Sequence, residues 1–126
     1  MGRTHKVLLW GGTAFNFGKN FGRLDSYIEA TERMAALAQR ENIDVLLSNH
    51  PGYDDSMAKL QALRSNPGSE ANPFVMGTPN VVRALQVMGA CARAQRDRFA
   101  LEPGGVARRL LPPRDEHHHD ALEHQG

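Results

Sequence analysis

Hydrophobic residues near the start of the chain form two short, almost uninterrupted runs. The first extends from Val7 to Trp10 and ends at Gly11 and Gly12. The second covers residues 43–47 and ends at the turn Ser48-Asn49-His50-Pro51-Gly52. Short apolar runs that stop at glycine and proline clusters are typical of strands buried on both faces of a parallel sheet.

The stretch between these runs has the periodicity of an amphipathic helix. Ser26 and Glu29 have the spacing of a capping box, which predicts that the helix begins at Ser26. Its apolar face is predicted to carry Tyr27, Ala30, Met34, Leu37 and Ala38. Strand, helix and strand in this order predict a βαβ unit with a right-handed crossover.

Two further helices are predicted after the second strand. Residues 54–56 can cap a short helix that carries Met57, Leu60 and Leu63 and ends at residues 66–68. Thr78, followed by Pro79, opens a longer helix with apolar residues at helical spacing, namely Val81, Val82, Leu85, Met88, Ala92 and Phe99. Residues 71–77 are predicted to be an extended connector or an edge strand. Two strands and three helices cannot cover both faces of a sheet, so the apolar helix faces imply a partner surface.

Composition restricts the class of protein. The 126 residues suit one small domain, with residues 1–101 folded and residues 102–126 a disordered tail rich in His and Pro. A net charge of +1 argues against general nucleic-acid binding, and no apolar run is long enough for a membrane helix. The single cysteine, Cys91, excludes an internal disulfide and is expected to be a small buried residue of the last helix. Without a signal segment in the sequence as written, a cytoplasmic location is the default expectation.

The turns at the two strand ends hold the candidate functional residues, because ligands of open α/β sheets bind beyond the carboxyl ends of the strands. His50 is the leading candidate, since neutral imidazole is a common metal ligand and proton carrier. The alternative is that His50 only forms a hydrogen bond within the Pro51-Gly52 turn. Gly11 and Gly12 do not have the spacing of a phosphate-binding loop, and a turn with close backbone packing explains them better.

Other polar groups have ordinary interpretations. Asn49 and Ser48 can orient a ligand or stabilise the turn, and capping is favoured over paired-acid chemistry for Asp54 and Asp55. The tail contains four further histidines, His117, His118, His119 and His124. They are expected to bind metal only adventitiously, because a mobile segment lacks the surrounding hydrogen bonds that orient metal-binding histidines.

Four segments, in this order, resemble the carboxyl-terminal half of metallo-β-lactamase-fold hydrolases, particularly the third subclass of metallo-β-lactamases. They are residues 7–13, the helix from Ser26, residues 44–51 and residues 73–77. In that family a Leu-Leu-x-x-His-Pro turn follows a strand, and its histidine binds the second zinc. His50 stands at the matching position. The resemblance therefore implies an α/β fold that is half of an αββα sandwich, with zinc as the cofactor of the complete protein.

The resemblance also implies what this chain lacks. The family's His-x-His-x-Asp-His motif lies in its amino-terminal half and has no counterpart here. A further zinc histidine before the first strand is also missing, and His5 is not equated with it. A catalytic zinc needs about three protein ligands and a water molecule, so the isolated chain is expected to be inactive.

Two functions follow as expectations. The first is the carboxyl-terminal portion of a zinc hydrolase that cleaves a β-lactam or another amide or ester by metal-bound hydroxide. In it, Asn49, Gly11 and Gly12 shape the substrate cleft, and the missing amino-terminal half or self-association completes the fold. Members of that family are often periplasmic or secreted. The second is a small non-catalytic α/β module for binding or oligomerisation, which docks through its apolar helix faces.

Overall fold

The computed structural model of the protein describes residues 2–102. This part of the protein is mixed α/β, with a two-stranded parallel sheet and four helices. The predicted disordered tail lies outside the described residues, apart from Glu102, and so do the tail histidines. In chain order the elements are β1 (Val7–Trp10), α1 (Phe21–Glu41), β2 (Val45–Ser48), α2 (Pro51–Asp54), α3 (Ser56–Ser65) and α4 (Thr78–Leu101).

The two strands pair in parallel, with Val7 opposite Val45 and Trp10 opposite Ser48. Side chains alternate between the faces of a strand, and those of Leu8, Trp10 and Leu46 pack against the helices. On β1 the other face is open, because Val7 is 53% and Leu9 64% exposed. The prediction that both strands are buried on both faces is therefore wrong for β1.

Helix α1 begins at Phe21 rather than at the predicted Ser26. Its N-cap is Asn20, whose side-chain oxygen accepts a hydrogen bond from the Arg23 amide at 3.0 Å. Asparagine is as good an N-cap as serine, and the earlier start lets Leu24 enter the core. The helix ends at Glu41, and its C-cap Asn42 adopts the left-handed conformation at φ 52°.

The core lies between α1, α4 and one face of the sheet. Helix α1 buries Leu24, Ile28, Thr31, Ala35 and Ala38, and α4 buries Val81, Leu85, Gly89 and Ala92. The predicted face of α1 is thus displaced around the helix, and of its five members only Ala38 is fully buried. Because the end of α1 packs near the start of α4, the two helices run antiparallel.

Charged residues join the same two helices at their exposed margin. The Arg96 guanidinium lies 2.6 Å from the Asp25 carboxylate, and Arg93 pairs with Glu32. These pairs are half-exposed, so each adds little to stability, but they are consistent with the antiparallel arrangement.

Helix α4 begins at Thr78, as the sequence predicts, and its N-cap is Gly77 at φ 82°. Cys91 is exposed, so the prediction that it is buried is wrong. Its neighbour Ala92 occupies the buried face instead. None of the helices between residues 2 and 102 is both long and apolar enough to cross a membrane.

The segment after β2 contains one more helix than predicted. Pro51–Asp54 forms the single turn α2, and α3 then runs from Ser56 to Ser65. Residues 71–77 are a connector and not a strand. The connector is fixed at its end, where the amides of Met76 and Gly77 both donate to the carbonyl of Asp44, at 3.0 and 3.1 Å.

Asp44 also joins the start of the chain to the start of β2. Its carboxylate accepts a hydrogen bond from the Lys6 amide at 2.9 Å and lies 2.5 Å from His5 Nδ1. The pKa of Asp44 lies below its ordinary value, mainly because of the hydrogen bond from His5. This contact lies at the amino-terminal edge of the sheet, opposite to the edge where the candidate site residues follow the strands.

Candidate functional site

The turns after β1 and β2 lie side by side, because Trp10 and Ser48 are opposite each other at the ends of parallel strands. A β-carbon on Gly11 would lie 3.5 Å from the side-chain nitrogen of Asn49. The hydroxyl groups of Thr13 and Ser48 are 3.4 Å apart. The fold therefore brings together the two turns that hold the sequence candidates.

Gly12 has a structural reason to be glycine. A β-carbon there would lie 3.1 Å from the Tyr27 ring and 3.3 Å from the Trp10 indole, which is tighter than an ordinary contact. The Tyr27 hydroxyl donates a hydrogen bond to the Gly12 carbonyl. The close packing expected of this turn accounts for Gly12 without a ligand. Gly11 has no comparably close contact.

His50 is exposed and is the N-cap of α2. Its Nδ1 accepts a hydrogen bond from the Gly52 amide at 3.2 Å, and its own amide donates to the Ser48 hydroxyl at 3.1 Å. Its ring also lies against the ring of Tyr53, with the centroids 4.8 Å apart. The simple alternative considered for His50, a hydrogen bond within the Pro51-Gly52 turn, is thus present in the fold.

Asp54 connects the end of β2 to the start of α3. One carboxylate oxygen accepts from the Ser48 amide at 2.8 Å, and the other accepts from the Ser56 amide at 3.0 Å. Burial raises the pKa of Asp54, but these two amides and the charge of Lys59 outweigh it and hold the pKa below its ordinary value. Asp54 thus satisfies the first amide of α3 from the end of α2, but the N-cap position predicted to lie among residues 54–56 is Asp55. Asp55, in contrast, forms no side-chain cap.

A cleft of about 850 Å³ opens beside the His50 turn. Its wall is largely apolar, with Leu46 from β2 and Val87 from α4, and Tyr53 stands at its border. Two cationic residues, Lys59 and Arg83, also line it. A volume of this size is in the range of small-molecule sites, and an apolar wall with a few polar groups is their usual character.

The sequence did not predict this cleft. Lys59 and Arg83 lie in α3 and α4, and the sequence around each is that of an ordinary charged residue on a helix face. Tyr27 was expected only as an apolar residue of its helix, although its hydroxyl fixes the Gly12 turn. No spacing in the sequence signals these contacts, because they depend on how the helices pack on the sheet.

Among residues 2–102, no three or more His, Cys, Asp and Glu side chains are gathered in a way that could hold a metal ion. His50 therefore belongs to no such group of three in that part of the chain, and His5 lies at the opposite edge of the sheet. No protein-family model, curated protein or solved structure matches the chain.

Proposed function

We propose that this chain is the carboxyl-terminal portion of a metallo-β-lactamase-fold zinc hydrolase, and that it is catalytically silent alone. The observation that carries the proposal is the position of His50, which is separated from the end of β2 only by Asn49 and lies at the same sheet edge as the turn after β1. The resemblance places a zinc ligand at this residue. Asn49, Gly11 and Gly12 would then form part of the substrate cleft, and the substrate would be a β-lactam or another amide or ester.

The described residues, 2–102, do not fit a complete zinc centre. A catalytic zinc uses about three protein ligands and one water, and no three His, Cys, Asp or Glu side chains are gathered around His50 in this part of the chain. The chain would therefore contribute one ligand to a site that another segment or subunit completes. The hydrolytic step belongs to that complete site, and none of it is assigned to the side chains described above.

The first experiment measures whether zinc binds at His50. Zinc is titrated into the full chain in which His117, His118, His119 and His124 are replaced by alanine, and binding is followed by NMR. We expect saturable shifts around His50 that are absent when His50→Ala is added. We also expect no hydrolysis of a chromogenic β-lactam by the chain. Zinc-dependent hydrolysis by the chain alone would contradict the silent state, and the absence of any His50-dependent zinc binding would contradict the ligand role.

A second candidate is a non-catalytic α/β module for binding or oligomerisation. It is favoured by the exposed apolar side chains of β1, Val7 and Leu9, and by the apolar cleft beside β2. Exposed apolar surface of this kind is common at docking sites. This candidate predicts tight self-association in analytical ultracentrifugation that neither zinc nor His50→Ala changes. A monomer at all accessible concentrations would argue against oligomerisation.

A further inference from the structure

The hydrogen bond between Gly52 and His50 determines which nitrogen of the His50 ring carries a proton. A neutral imidazole has one N–H group and one nitrogen with a free lone pair. Nδ1 of His50 accepts from the Gly52 amide at 3.2 Å, so its lone pair is already used. The proton of the neutral ring must then be on Nε2. The ring of His50 consequently presents a hydrogen-bond donor, and not a lone pair, to its surroundings.

A metal ligand needs the opposite arrangement. A histidine that binds a metal through Nε2 carries its proton on Nδ1, and it usually donates that proton to a carboxylate or a carbonyl. Here the atom that faces Nδ1 is the Gly52 amide nitrogen, which is itself a donor. Two N–H groups would then point at each other. Binding of the metal through Nδ1 instead would displace the same amide hydrogen bond.

Several contacts hold the His50 backbone and ring in the capping position. The His50 amide donates to the Ser48 hydroxyl, and the Tyr53 amide donates to the His50 carbonyl at 3.0 Å. The Tyr53 ring packs against the imidazole. Gly52 makes the close approach possible, because a β-carbon there would lie 3.2 Å from both Nδ1 and Cε1 of His50. Capping is therefore built into the turn by several residues.

We propose that capping of α2 and coordination of a metal by His50 are mutually exclusive. In the metal-free chain His50 is the helix cap and carries its proton on Nε2. A metal binds His50 only when the Gly52 hydrogen bond opens, so the first turn of α2 reorganises as the metal is bound. The statement about the metal rests on the proposed function, whereas the statement about the cap and the tautomer does not.

The tautomer is measured first, without metal. The full chain with the four tail histidines replaced by alanine is labelled with ¹⁵N-histidine, treated with chelator and studied by long-range ¹H–¹⁵N correlation at pH about 8, where free imidazole is neutral. The His50 signals are identified by their loss in His50→Asn. We expect an unprotonated Nδ1 and a protonated Nε2. A protonated Nδ1, or a mixture of both tautomers, would overturn the proposal.

Zinc is then added to the same sample. We expect the Gly52 amide to shift as zinc binds His50, and the Nδ1 signal to change to its protonated form or to show direct coordination. Zinc binding at His50 with the Gly52 amide unchanged would overturn the exclusion and leave the proposed function intact. If zinc never reaches His50, the proposed ligand role and the exclusion both fail, and the tautomer result stands separately.

Two glycine substitutions supply a further test of the competition and its matched control. Gly52→Ala pushes the ring away from the amide, and loss of a typical cap corresponds to about fivefold in an equilibrium constant. We therefore expect zinc to bind Gly52→Ala about fivefold more tightly than the parent. Gly68→Ala, where a β-carbon would meet nothing within 4 Å, should bind zinc as the parent does. Equal or weaker zinc binding by Gly52→Ala would contradict the competition.

Discussion

Thr31 of α1 and Gly89 of α4 are in close contact at the crossing of the two long helices. A β-carbon on Gly89 would lie 2.5 Å from the Thr31 hydroxyl oxygen, a distance that real β-carbons do not show. That hydroxyl donates to the Ile28 carbonyl within its own helix at 2.6 Å, so it has little freedom to turn away. The crossing of α1 and α4 therefore depends on the absence of a side chain at residue 89.

Gly89→Ala should destabilise the protein although alanine is the better helix former. Overpacking of a closed core typically costs about 1–3 kcal/mol, which exceeds the gain of about 1 kcal/mol in helix propensity. The measurement is the free energy of unfolding in urea. Adding Thr31→Ala to the Gly89→Ala variant should restore most of the lost free energy of unfolding.

The control is Gly22→Ala, whose β-carbon would make only an ordinary 3.6 Å contact. This variant should be more stable than the parent by about 0.5 kcal/mol. Similar effects of both glycine substitutions would refute the packing argument.

Asp44→Asn should destabilise the fold at neutral pH and have less effect in acid. The pKa of Asp44 is lower in the folded chain than its ordinary value of 3.8, chiefly because of the hydrogen bond from His5. Its carboxylate therefore stabilises the fold above pH 3.8, and this stabilisation is lost as the pH falls below that value. Thermal melts of both proteins from pH 7 to pH 3 measure the difference.

The control for Asp44 is Glu41→Gln. Glu41 forms an exposed pair with Lys6 at 3.6 Å, and such pairs contribute little. We expect this variant to melt close to the parent over the same pH range. If the melting temperatures of Asp44→Asn and the parent differed by a constant amount at every pH, the carboxylate charge would not be the cause.

Asp54→Asn should remove one of the two hydrogen bonds by which Asp54 connects the end of β2 to the start of α3. Asparagine offers one oxygen where aspartate offers two, so the Ser48 or the Ser56 amide would face an NH₂ group. Loss of one charge-assisted hydrogen bond typically costs about 1.5–3 kcal/mol. Asp55→Asn is the matched variant, because Asp55 makes no cap and asparagine tolerates its left-handed backbone at φ 56°. Urea unfolding should show the loss only for Asp54→Asn.

His50→Ala and His50→Asn distinguish a cap from a residue with no structural role. Asparagine is a strong N-cap, so it should retain the stability of the parent, whereas alanine should cost about 1 kcal/mol. Both substitutions remove the imidazole. Equal stability of the alanine and asparagine variants in urea unfolding would show that the hydrogen bond to Gly52 adds nothing measurable.

Local signals in the sequence predicted several elements well. The apolar run of Val7–Trp10 is β1, and Thr78 with Pro79 marks the start of α4. The parallel pairing predicted from the two runs places Gly11 next to Asn49. These features depend on short stretches of chain or on a single rule of topology, so they can be derived without knowledge of the packing.

The remaining features depend on competition between distant groups. The capping box at Ser26 is a valid signal, but Asn20 caps α1 earlier and the longer helix buries Leu24. The buried face of α1 centres on small residues such as Thr31 because α4 approaches closely there. Cys91 is exposed for a related reason, since the same approach turns the neighbouring Ala92 inward. Periodicity alone does not determine that rotation.

Asp44 joins three segments of the chain that are far apart in the sequence: the residues before β1, the start of β2 and the connector before α4. Its side chain reaches Lys6, 38 positions away, and its carbonyl receives two amides from the connector before α4. A chain with one cysteine has no internal disulfide to close a loop of that size. One residue thus closes two long loops by hydrogen bonds. Acid, rather than a reductant, would release the contacts of its carboxylate with Lys6 and His5, whereas the hydrogen bonds to its backbone carbonyl would remain.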